Sequence, residues 1–78
     1  MTNLDKYLNV FIEVFEISAE EAQSLAYQGI PMWDSVGHMR LIAVLEETFD
    51  IMMDTDNIID LSSFEKGKEI LRKYNVEL

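Results

Sequence analysis

The sequence predicts a single all-α domain spanning residues 1–78: three main helices with one or two short ones, and a long loop between the first two main helices. Three observations carry this. Apolar residues recur at spacings of three and four, whereas Val, Ile and Thr never cluster into the alternating runs of a strand. The chain has 78 residues, enough for one hydrophobic core and not for two. Its apolar fraction is 49%, which is that of a globular protein rather than a disordered one.

The first helix is read from Leu4, Tyr7, Leu8, Phe11, Val14 and Phe15, which share one face, with Asn3 as the cap. Ser18-Ala19-Glu20-Glu21 matches a capping box, but few apolar residues follow, so a turn or short helix is expected there. A loop then runs from Gln23 to Trp33, punctuated by Gly29 and Pro31. Asp34-Ser35 opens the second main helix, which continues to Asp50. Met53 to Leu61 is a connector with one short helix, Asp56 to Asp60, and Met53 is expected to be more buried than Met52. Ser62 and Glu65 form another capping box and open the last helix, with Phe64, Ile70, Leu71 and Tyr74 inward. Lys66, Lys68, Arg72 and Lys73 lie on it, the later ones complementing its negative C-terminal end.

Six Lys and Arg against fifteen Asp and Glu give a net charge of −9. That argues against a nucleic-acid ligand, whose phosphates require basic counter-charge, and for partners with basic surfaces. The absence of cysteine rules out a disulfide and a thiolate nucleophile. With only one histidine besides, a structural zinc site has no ligand set. No apolar run approaches the ~20 residues that span a bilayer, so no transmembrane segment is expected. The N-terminus lacks the basic start and apolar stretch of a signal peptide. The expectation is a cytoplasmic monomer, stand-alone because the chain starts at Met1 and both ends read as helix margins. Residues 34–60 carry seven acids and one base, and residues 61–78 three acids and four bases, so the middle of the chain is its acidic part.

Advancing about 100° per residue along the helix that starts at Ser35 gathers His38, Leu41, Ile42, Leu45 and Phe49 on the core side. Val36, Met39 and Ala43 fall opposite, ringed by Arg40, Glu46, Glu47 and Asp50. Scattered exposed apolar residues are ordinary, but a small apolar patch ringed by acids also reads as a docking face for a partner with a basic rim. Ser35 stands where this helix begins. Either Ser35 or Asp34 is simply the cap that satisfies the first free N–H groups, or the Ser35 hydroxyl is exposed and modified. A phosphodiester there would lie at the positive end of the helix dipole.

The stretch Trp33-Asp34-Ser35-Val36-Gly37-His38-Met39 resembles the Asp-Ser-Leu attachment motif of acyl carrier proteins. The resemblance continues through Leu45-Glu46-Glu47-Thr48-Phe49-Asp50-Ile51 to Asp56 and then Leu61-Ser62-Ser63-Phe64, covering essentially the whole chain. It implies a four-helix acyl-carrier-like bundle with a 4′-phosphopantetheine arm on Ser35, supplied from coenzyme A by a phosphopantetheinyl transferase. The arm's thiol would hold an acyl or aminoacyl group as a thioester, which explains how a protein without cysteine works with sulfur. The resemblance further implies that Asp34 takes part in transferase recognition and that Leu61 lies near the arm. Val36 and Met39, with the acids of the same helix, would dock a loading enzyme and downstream acyl-processing enzymes. The protein would itself be non-catalytic.

Two departures from the family pattern bear on partners. Gly37 stands where fatty-acid carriers usually have an acid, more as in D-alanyl carriers, and leans the reading towards a small or amino-acid-derived load. A mid-helix Gly costs on the order of 1 kcal/mol against Ala, so close backbone approach by something is expected at Gly37, unless the first turn frays. Arg40 replaces a typical acid on the docking face, which points to a dedicated partner set. Val36 replaces the commoner Leu.

Other constellations are weaker. Asp34, Ser35 and His38 are the residue types of a hydrolytic triad, but the helical angle aims His38 at the core, and no nucleophile-elbow motif is present. His38 is expected to pack under the loop near Trp33, or else to sense protons or contact the arm. Asp54-Thr55-Asp56 with Glu65 echoes a calcium loop, but Ile58 and Ile59 occupy its fifth and sixth positions. Loose divalent binding by Asp50, Asp54, Asp56 and Asp60 remains the weaker alternative there. Trp33 is expected to pin the long loop to the core, the alternative being contact with the arm or a partner. The competing function is a small acidic adaptor that binds partners through helix 35–50 and carries no prosthetic group.

Overall fold

The computed structural model describes residues 1–78 and is all-helical: α1 (Asn3–Phe15), α2 (Ala19–Gln23), α3 (Ser35–Phe49), α4 (Thr55–Asp60) and α5 (Phe64–Lys73). No helix is long and apolar enough to cross a membrane. Three main helices and two short ones result, and the Ser18 capping box does initiate a helix: the Ser18 hydroxyl accepts from Glu21 N–H while the Glu21 carboxylate reaches back.

Two other caps fall one residue from the expected positions. α1 is capped by Thr2 rather than Asn3, because Asp5 stands where it completes a capping box with Thr2. The last helix is capped by Ser63, whose hydroxyl accepts from Lys66 N–H at 3.0 Å, and not by Ser62 with Glu65. The reason lies in the loop between α2 and α3. Tyr27 N–H donates to the Ser62 carbonyl at 2.8 Å and Phe64 N–H to the Leu25 carbonyl at 2.9 Å, an isolated antiparallel bridge centred on Ala26 and Ser63. That bridge holds Ser63 extended and delays the helix by one residue.

α1 and α3 end on Glu16 and Asp50, both left-handed without being glycine, at a cost on the order of 1 kcal/mol each. The core is aromatic at its centre. Phe11 meets Tyr7 and Phe64 edge-on at 5.0 Å each, and Phe15 stacks on Trp33 at 5.2 Å. Tyr7 is fully buried and its hydroxyl donates to the Phe64 carbonyl at 2.7 Å, so no polar group is stranded. Burial pushes the Tyr7 phenol well above its usual ionisation range, with Glu65 adding to the shift. Gly67 makes room for that hydroxyl, since a Cβ there would overlap it.

α3 turns Leu41, Ile42 and Leu45 fully inward as expected, while Phe49 is only half-buried. Leu4, read as part of the α1 core stripe, is exposed, at the rim of a shallow cleft shared with Gln23, Phe64 and Lys68. Met53 is buried and Met52 is 87% exposed. α4 fully buries no residue and has no side-chain cap. The Tyr74 hydroxyl, just after α5, accepts from Asp54 N–H and Asn57 Nδ2, both at 2.8 Å, and tethers the start of α4.

Candidate functional site: the first turn of α3

Asp34, extended in backbone, caps α3 with its Oδ1 accepting from Gly37 N–H at 2.8 Å. Ser35 is thus the first residue inside the helix and not its cap. Its side chain is exposed and its hydroxyl makes no hydrogen bond within the chain, and the Ser35 and Val36 N–H groups are likewise unpartnered. A free hydroxyl beside two free N–H groups at the positive end of a fifteen-residue helix suits a phosphoester. The residues present therefore fit a phosphodiester-linked group at this position.

Gly37 is buried, and a Cβ on it would overlap the Met32 carbonyl oxygen, with the carbonyl carbon at 3.0 Å. The loop carbonyl rests directly on the first turn of α3. The expected close approach at Gly37 is therefore made by the chain itself, and Gly37 has a reason in the fold that is independent of any load.

Trp33 is fully buried and anchors the loop, as expected for a pin. Its indole N–H donates to His38 Nδ1 at 2.9 Å, and the rings stack at 14°. The other nitrogen, His38 Nε2, lies 2.7 Å from the Ile58 carbonyl of α4. Indole N–H only donates and a carbonyl only accepts, so the ring is neutral with its proton on Nε2. Both nitrogens are engaged, and neither contacts Ser35.

Beside Ser35 lies an open groove of about 360 Å³, walled by Ser35, His38 and Met39 of α3 and by Ile58 and Ile59 of α4. Leu61, Ser62 and Tyr27 complete it. Of the residues singled out in the sequence, Ser35, Met39 and Leu61 meet in this groove, Leu61 as a fully buried part of its wall. Val36 and Met39 are 69% and 54% exposed, and Ala43, Glu47 and Asp50 are exposed with them on the outer face of α3. Glu46 departs from that set. It is half-buried and its carboxylate accepts from Met53 N–H at 2.9 Å, fastening the turn after α3. Glu46 therefore has a role in the fold in addition to its place beside the exposed acids. Asp50, Asp54, Asp56 and Asp60 do not converge into a metal-ligand group.

Tyr27, Ile58 and Ile59 are the site residues that sequence reasoning missed. Tyr27 sits in a loop without periodicity. Ile58 and Ile59 did carry a signal, because adjacent positions on a helix cannot both face one core, and Ile59 is 71% exposed. Comparison with protein-family models, with curated proteins and with solved structures returned no match for this chain.

Proposed function

We propose that this chain is an acyl-carrier-like domain that holds an acyl or aminoacyl group as a thioester on a 4′-phosphopantetheine arm attached to Ser35. The observation that carries the reading is an exposed, unbonded Ser35 hydroxyl on the first turn of a long helix, immediately beside an apolar groove. The resemblance of the sequence around Trp33–Met39 to the carrier attachment motif supports it, as does the helical order with its long loop before α3.

In this role the chain attaches, orients and presents, and its partners do the chemistry. The arm, when bound, supplies the thiol that forms the thioester. Ser35 contributes the oxygen that is esterified, and the free N–H groups of the α3 first turn favour the phosphate's negative charge. Asp34 holds that turn in register through Gly37 and carries the acid that a phosphopantetheinyl transferase would recognise. Val36, Met39 and Ala43 form the apolar centre of the docking face and Glu47 and Asp50 its acidic rim, matched to basic surfaces on loading and acyl-processing enzymes. Arg40 makes no ion pair within the chain, and it would select partners with an acid opposite it. The protein is then a substrate of enzymes and not one itself.

Incubating the purified chain with coenzyme A, magnesium and a promiscuous phosphopantetheinyl transferase should add one phosphopantetheinyl group by mass, and Ser35→Ala should abolish the addition while leaving the fold intact. An unchanged mass would leave the acidic adaptor without a prosthetic group as the better reading, since the exposed Val36–Met39–Ala43 patch serves both.

A further inference from the structure

We infer that His38 is a proton-dependent latch that sets the position of α4 and hence the width of the groove beside Ser35. α4 is the least secured element of the molecule: six residues, no fully buried side chain and no side-chain cap. Its start is tethered by the Tyr74 hydroxyl and its end by the buried Leu61 that follows it. Between them, the one side-chain bond from α3 to α4 is His38 Nε2–H to the Ile58 carbonyl.

That bond exists only because the opposite nitrogen is an acceptor. The Trp33 indole N–H points at Nδ1 from 2.9 Å. A proton added to Nδ1 would set two N–H groups against each other, and one ring must move. Trp33 is held on its far side by Phe15, stacked at 5.2 Å, and by Phe11 at 5.7 Å, and it is fully buried. The imidazole lies at the groove and at the edge of the core. The imidazole is therefore the ring that swings, and it carries Nε2 away from Ile58. α4 then keeps its Tyr74 and Leu61 tethers and the partial packing of Ile58 on the core, but loses its one side-chain bond to α3, so the wall formed by Ile58 and Ile59 loosens.

The groups facing this ring offer no compensation. From the loop comes the Tyr27 ring, edge-on at 5.5 Å. On α3 itself, the Asp34 carboxylate is committed to Gly37 N–H and Arg40 is exposed. On the α4 side, Asp54, Asp56 and Asp60 are exposed. α1 meets the pair through Phe11 and Phe15, on the Trp33 side. No carboxylate makes an ion pair with the imidazole. The bonded arrangement needs a bare Nδ1, so a proton on that nitrogen and the Ile58 bond exclude each other. The latch is therefore closed at higher pH and opens as pH falls.

The bearing of the latch on a prosthetic arm rests on the carrier reading, but the latch itself is tested on the unmodified chain. Amide hydrogen exchange, corrected for intrinsic rates, is compared at about pH 7.5 and about pH 5.5, which bracket the ordinary imidazole range. The reporters are Ile58 and Leu61 N–H, bonded to the Asp54 and Asn57 carbonyls. Relative to α1 and α5, their protection should fall at the lower pH by roughly twofold to tenfold, the factor that one lost hydrogen bond carries. His38→Gln supplies an acceptor and a donor that do not titrate, and its α4 protection should be the same at both pH values. Should that variant fail to fold, Trp33→Phe decides. It leaves Nδ1 free to take a proton while Nε2–H keeps Ile58, and it too should be insensitive to pH. Unchanged α4 protection in the unsubstituted chain, or an equal loss in His38→Gln, overturns the latch. So does a ring-nitrogen NMR signature placing the neutral proton on Nδ1. Absence of Ser35 modification would remove the carrier reading and leave these results standing.

Discussion

The two ends of this small domain are held by different forces. Around Tyr7, Phe11 and Phe64, three aromatic pairings and one buried hydrogen bond knit α1 to α5 and to the loop. Around Ser35, the groove wall α4 is fixed by one polar contact to His38, two to Tyr74 and the partial packing of Ile58 on the core. Dispersion and apolar burial are spread over dozens of atom pairs and fail gradually, whereas a lone hydrogen bond is present or absent. The difference teaches where change is cheap: the end with the free hydroxyl is the end that can be loosened without dissolving the core.

The largest expected effect comes where the two regions meet. Gly37→Ala drives a methyl group into the Met32 carbonyl, which is backbone and cannot step aside. A loss of about 2–4 kcal/mol is expected, seen as a fall in Tm of more than about 8 °C. A Tm within about 2 °C of the parent would mean that the loop does not rest on α3 in solution.

The aromatic end is probed by Gly67→Ala, which presses on the Tyr7 hydroxyl and should cost about 1–3 kcal/mol. Tyr7→Phe should cost about 1 kcal/mol by removing the buried hydrogen bond to the Phe64 carbonyl. In the double variant the new Cβ occupies the space the hydroxyl vacates, so the combined loss in a urea titration should be smaller than the sum. Strict additivity would show that the two residues do not meet as described.

The smallest effects separate two neighbours on α3. Glu46→Lys removes the acceptor of Met53 N–H and should cost about 1 kcal/mol. Glu47→Lys changes an exposed side chain and should stay within about 0.5 kcal/mol. Equal melting curves would return Glu46 to the freely presented acidic rim. If the carrier proposal holds, Glu47→Lys alone should slow association with a basic partner without altering the fold.

Much of this fold was legible as periodicity. Leu41, Ile42 and Leu45 on one side of α3, and Val36 and Met39 on the other, lie where a helical wheel puts them. The caps were read one residue out at α1 and α5, for two reasons. At α1, Asp5 can serve in a capping box as Glu does. At α5, a backbone bridge to Leu25 and Tyr27 overrides the local Ser62–Glu65 signal. The exposure of Ser35 rests on which of two adjacent capping residues wins, and only geometry resolves that in favour of Asp34. The Trp33–His38–Ile58 chain was half legible: His38 was expected under the loop near Trp33, but nothing in the spacing announced the Ile58 carbonyl as its third member.

The short bridge between residues 25–27 and 62–64 also orders events in time. The loop that seats the first turn of α3 finds its register only against the segment that leads into α5, and closing such a long separation is slow compared with forming a helix. An isolated helix of the length of α3 is marginal in water, so its turns come and go until the loop locks. The first turn of α3 is therefore fully seated only once residues 62–64 have joined the loop.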